Sequence, residues 1–98
     1  LGFLSVAGDL PDLDAILDGT CKDVPSEAPA LHILSAALSM RVNETTSSKK
    51  LNALIEYTLA LPGEFSVMIV QDLRERKIEL DHLQNWTLWM KKFNTLLH

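Results

Sequence analysis

Apolar residues recur every three or four positions through most of this chain, the spacing that gathers side chains on one face of a helix. The pattern is clearest on either side of Pro62. Ahead of it Leu51, Leu54, Ile55 and Leu59 form one stripe, which predicts a helix beginning at Lys49 and capped by Ser47 or Ser48. Pro62 cannot extend a preceding helix but suits the first turn of a new one, where Glu64 falls near the positive end of the helix dipole. Leu61-Pro62-Gly63 therefore reads as a sharp corner. Beyond it Phe65, Val67, Met68, Ile69 and Val70 are interrupted only by Ser66, so the second helix offers apolar surface on nearly all sides and is expected at the centre of the fold. Arg74-Glu75-Arg76-Lys77 gives it a charged, solvated end, with cations at the negative end of the dipole.

Upstream, Leu1–Ala7 reads as a helix entered partway through, without an initiator Met, and is expected to mark a fragment of a longer chain. Gly8 and Asp9 end that piece, and Pro11 opens a short helix through Leu13, Ile16 and Leu17 that Gly19 closes. Thr20–Pro25 reads as a loop. Ser26 is the expected cap of a helix with Glu27 and Pro29 in its first turn. Leu31, Leu34 and Leu38 form the stripe of that helix, and Ala30, Ile33, Ala37 and Met40 lie beside it, which predicts a well-buried element. After the corner, Asp81 and Gln84 have the spacing of a capping pair. The last helix then sets Trp86, Trp89, Met90, Phe93, Leu96 and Leu97 against Lys91, Lys92 and Asn94. No run alternates with the β-branched richness of a strand. The expected fold is all-α, a compact single-domain bundle of four or five main helices with an extra short helix near residues 11–18.

At 98 residues the chain is long enough to bury one core, and no stretch is apolar for the length a membrane span needs. The single cysteine, Cys21, excludes an internal disulfide, so a reducing, cytoplasmic setting is the expectation. Asn43-Glu44-Thr45 and Asn85-Trp86-Thr87 match the glycosylation pattern, which carries little meaning without a secretory signal. Residues 1–30 hold Asp9, Asp12, Asp14, Asp18, Asp23 and Glu27 against Lys22 alone. Those Asp do not follow the calcium-loop pattern and read as caps and solvated turns. An acidic leading segment also argues against binding a nucleic-acid backbone.

Catalytic patterns are missing: the chain has no phosphate-cradling loop, no dinucleotide fingerprint and no metalloprotease helix, and His32, His82 and His98 lie far apart. No catalytic, cofactor-binding or metal-ligating residue is assigned. His32 reads as a boundary residue, and Cys21 has only Lys22 beside it to lower its pKa. The candidate partner-contact residues are Trp86, Trp89, Lys91 and Lys92. Indoles beside lysines could stack on bases, but their spacing coincides with the last apolar stripe, so at least one indole belongs to a core or a protein interface.

Phe3-Leu4, Leu10-Pro11-Asp12, Ile16-Leu17, the Ala30–Leu38 helix, the run Tyr57–Met68 with its Leu-Pro-Gly-Glu-Phe corner, Asp72-Leu73 and the closing Trp89 follow an order of features that resembles the C-terminal end of MoxR-like AAA+ ATPases of bacteria and phages. The resemblance implies a non-catalytic helical C-terminal domain that serves assembly or partner recognition. ATP and magnesium would be bound only by the parent chain, upstream of Leu1. It also implies a hexameric, ATP-driven machine that remodels partner proteins. No family arginine motif maps onto Arg41, Arg74 or Arg76. The rival expectation is a free-standing helical adaptor that binds other proteins.

Overall fold

The computed structural model describes residues 10–97, so the helical piece expected over Leu1–Ala7, with Gly8 and Asp9, and the terminal His98 lie outside the described residues. Those residues form helices α1 (Leu13–Leu17), α2 (Ala28–Arg41), α3 (Ser48–Thr58), α4 (Gly63–Glu75) and α5 (Trp86–Phe93), followed by a 3-10 turn over Asn94–Leu96. No strand occurs among them. The protein is all-α, as its apolar spacing predicts.

Local chemistry fixes the helix ends. Asp12, rather than Pro11, opens α1: its carboxylate accepts from the backbone N–H of Asp14 at 2.9 Å and of Ala15 at 3.4 Å. Gly19 closes it in the left-handed region at φ 79°, where a Cβ would be strained. Ser26 does not cap α2; Glu27 holds that position without a side-chain bond, and a proline in the first turn removes one donor that would otherwise lack a partner. Ser47 caps α3, accepting from the N–H of Lys50 at 3.3 Å. At the corner Leu59, Ala60 and Leu61 each donate three residues back, and Pro62 is the N-cap of α4, its carbonyl accepting from Phe65 and Ser66.

Asp81 and Gln84 do not cap α5. Asn85 holds the N-cap position without a side-chain cap bond, and its N–H donates at 2.8 Å to the Asn52 side chain of α3. The reason lies in the connector before it, where Ile78, Leu80 and Leu83 are all buried and draw the chain across the core in irregular turns.

Alternate helices lie side by side. Asp18 pairs with Lys50, Lys22 with Glu56, and the Asp23 carbonyl accepts from the Tyr57 hydroxyl, so the segment after α1 advances in the same direction as α3. Asn52 meets Asn85 and the Leu59 carbonyl meets Lys92, which sets α5 parallel to α3. His32 packs on Phe65 and Arg76 reaches Val42, which sets α4 parallel to α2. Two layers result, α1 with α3 and α5 in one and α2 with α4 in the other, with the pair α2 and α4 the most extensive contact. Stacking of this kind, in which each helix packs on its neighbour in the layer, is the packing logic of helical repeat proteins.

The core runs between the layers. Phe65, Ser66, Val67, Ile69, Val70 and Leu73 of α4 are buried against α2, α5 and the 3-10 turn, which makes α4 central. It is not covered on every side, because Met68 stays exposed. The charged end of α4 is also more than a solvated run. The guanidinium of Arg76 donates to the carbonyls of Ser39 and Val42 (2.9 Å to Val42) and is held by the Asp72 carboxylate at 3.1 Å. It therefore satisfies carbonyls at the C-terminal end of α2 and meets the negative end of that dipole.

Tyr57 makes the equivalent tie in the other layer. Burial, then the charges of Cys21 and Asp23, push its phenol from 10.0 up to about 12. Below pH 10 the phenol is protonated in folded and unfolded chains alike and its contribution is whole. Between pH 10 and 12 the unfolded chain ionises first, so stability falls as pH rises through that window, by roughly 2–3 kcal/mol from about 1.4 kcal/mol per unit. Urea unfolding at pH 8 and pH 11 should show about half of this fall, roughly 1.4 kcal/mol, in the native protein and a clearly smaller one in Tyr57→Phe; equal falls would place the ionising group elsewhere.

Candidate functional site

The outer face of α2 is the most unusual surface in the fold. From Ala28 to Met40 the helix carries no Asp, Glu, Lys or Arg. Leu31, Leu34 and Leu38 point into the core with Ser35 and Ser39, while Pro29, His32, Ile33, Ala36 and Met40 face outward. A helix apolar on both sides is normally buried on both. Here the second side is open: Met40 is 84% exposed and Ile33 44%. This corrects the expectation that α2 is well buried with Ile33 and Met40 beside its stripe. The sequence signal was present in the missing charges, but an apolar outer face and a buried one look alike when only periodicity is read.

Between α2 and α4 this face opens into a groove of about 340 Å³ lined by His32, Ser35, Ala36, Ser39, Met40, Met68 and Asp72. Small side chains on α2 form its floor. Ser35 is fully buried there, and among the described residues its hydroxyl has no hydrogen-bond partner. Phe65 supports the upper end, its ring meeting His32 edge-on with centroids 4.8 Å apart. Met68 and Asp72 also line a second concavity of about 510 Å³, on the other side of Met68, bounded by Gly63, Glu64, Val67, Gln71, Glu75 and Leu96. Gly63 lets the 3-10 turn close in, since a Cβ at that position would lie 2.7 Å from the Leu96 side chain.

Trp86, Trp89, Lys91 and Lys92 are distributed differently from the candidate set. Trp89 is fully buried and its indole N–H donates to Ser66 Oγ at 2.8 Å, so it has no surface to offer a partner. Trp86 is half-buried and stacks on Trp89, with rings 4° from parallel and centroids 5.2 Å apart. Lys92 donates to the Leu59 carbonyl at 2.6 Å, completing the end of α3, and lies 5.4 Å from the Phe93 ring centroid. Lys91 is exposed, about half a helical turn away from the indoles. Leu88, 55% exposed, is the apolar residue that α5 does present.

The polar groups elsewhere have local work. His82 shares a 3.0 Å contact with the Ser48 hydroxyl, and Cys21 is half-buried in the loop beside α3. The Lys22 hydrogen bond, then its charge, holds the Glu56 carboxyl below its usual range. Among the described residues no group of three His, Cys, Asp or Glu is placed to hold a metal ion, and no helix is long and apolar enough to cross a membrane. Comparison with protein families, with curated proteins and with solved structures finds no match.

Proposed function

We propose that this chain is a non-catalytic helical protein-interaction domain that docks another protein along α2 and the adjoining edge of α4. The observation that carries this reading is the uncharged, open face of α2, where Met40 and Ile33 stand exposed beside Met68. Flexible methionine side chains around a small-residue floor adapt readily to an incoming apolar surface.

A narrower form of the proposal is a C-terminal domain of a MoxR-like AAA+ ATPase, serving assembly or partner recognition in a hexameric remodelling machine whose parent chain binds ATP and magnesium. Its support is the order of sequence features around the Leu61–Phe65 corner, with a buried helix after Pro62. A free-standing adaptor uses the same face, and the reading frame upstream of Leu1 separates the two: a P-loop there favours the ATPase parent.

Photo-crosslinking tests the shared claim. A crosslinkable residue in place of Met40, in the full-length protein within its own cells, should give one discrete adduct, and the same probe at Glu44, exposed beyond the end of α2, should not. No adduct from position 40, or equal adducts from both, would overturn the docking face.

A further inference from the structure

We infer that the groove between α2 and α4 is built for an amphipathic helix with a basic flank, an inference that rests on the docking face proposed above and specifies its occupant. The two concavities share Met68 and Asp72 in their linings, so an occupant on Ala36 and Met40 reaches the border of the space beside α4. Their edges differ in charge. The α2 edge carries none, whereas the α4 edge carries exposed Glu64 and Glu75, one near each end of the helix. Among the described residues neither carboxylate is in an ion pair, whereas Asp72 between them is held by Arg76.

Glu64 and Glu75 are eleven positions apart, a spacing of about 16 Å along α4 at 1.5 Å per residue. A helix lying along the groove with an apolar stripe on Met40 and Met68 brings Lys or Arg residues about three turns apart into reach of both carboxylates. Helix-in-groove recognition works in this way, with apolar anchors at helical spacing supplying affinity and flanking charges setting orientation. An acidic helix of the same shape meets like charge at Glu64 and at Glu75, the latter with Arg74 on its far side. The groove therefore discriminates by charge as well as by shape.

Two synthetic helical peptides with the same leucine stripe, one flanked by Lys and one by Glu, test this against the isotope-labelled protein by NMR titration. The Lys peptide should shift the resonances of Ala36, Met40 and Met68 and bind at least tenfold more tightly than the Glu peptide. Its advantage should shrink severalfold in the double variant Glu64→Gln/Glu75→Gln and at high salt. Equal binding of both peptides at the groove would overturn the charge preference and leave the docking face standing. Shifts confined to the Trp86–Leu88 surface, or none with either peptide, would overturn both. Concentration-dependent shifts of the same residues without peptide would name a second copy of this chain as the occupant and overturn the basic helix.

Discussion

Replacing Trp89 with Ala should remove roughly 4–5 kcal/mol of folding stability, the largest loss from any single truncation in this chain. Large-to-small changes at buried aromatic positions cost about 3–5 kcal/mol through lost burial and the cavity left behind. Trp89 sits at the severe end of that range because three separate interactions end on it. Its ring is covered by Trp86 on one side and tilts against Phe93 at a 5.3 Å centroid distance, and its N–H is the partner of the buried Ser66 hydroxyl. Truncation thus opens a cavity between α4 and α5 and leaves the buried Ser66 hydroxyl oxygen without the donor it accepts from, a penalty of about 1–3 kcal/mol where no other donor is available. For a domain of this size, with total stability on the order of 5–15 kcal/mol, the variant should melt roughly 15–40 °C lower or fail to fold at all. Ser66→Ala isolates the hydrogen bond and should cost roughly 1–2 kcal/mol, because the indole N–H then stays buried without a partner. Thermal melts and urea titrations of both variants measure these effects. A loss below about 1 kcal/mol for Trp89→Ala would show that α5 does not seal the core.

The Trp89 contact also shows what periodicity can and cannot supply. Four-residue spacing from Trp86 to Met90 and from Trp89 to Phe93 is enough to predict an amphipathic helix and to place at least one indole in a core or an interface. Which indole it is depends on where Ser66 of α4 lies, and a serine within an apolar run does not announce a tryptophan partner twenty-three residues away. Arg76 follows the same rule. In Arg74-Glu75-Arg76-Lys77 all four residues look solvated, and only the meeting of two parallel helix ends singles out one of them as the group that satisfies Ser39 and Val42. The burial of Ile78, Leu80 and Leu83 escaped for a different reason: an irregular connector has no period, so its apolar residues form no stripe. The candidate site was hidden by the opposite problem. The pattern of α2 was strong but two-sided, and a sequence cannot say which apolar side a neighbour covers. Charge was the better guide, since thirteen residues from Ala28 to Met40 without one are unusual on an exposed helix.

Phe65→Ala should remove about 3–5 kcal/mol, and unlike the Trp89 truncation it should also loosen the groove. Phe65 is 3% exposed and stands in the first turn of α4, where the chain has just turned at Pro62. Its ring is part of the buried core and meets the His32 ring at an interplanar angle of 82°, the T-shaped arrangement that aromatic quadrupoles favour. Because His32 lines the groove, Phe65 is the buried support of an exposed wall. The truncation therefore leaves His32 without its platform while Met40 and Met68, farther along, keep theirs. Phe65→Leu retains most of the volume and should cost nearer 1–2 kcal/mol. A double-mutant cycle with His32→Ala measures the ring contact itself and should return a coupling of about 0.5–1.5 kcal/mol. Amide hydrogen exchange supplies the structural half: faster exchange at the N-terminal turns of α2 and α4, with the Arg76-held ends unchanged, is the expected signature of a support lost at one end. A stability loss under about 1 kcal/mol, or exchange quickened evenly along both helices, would mean that the corner does not hold the two parallel helices together at that end.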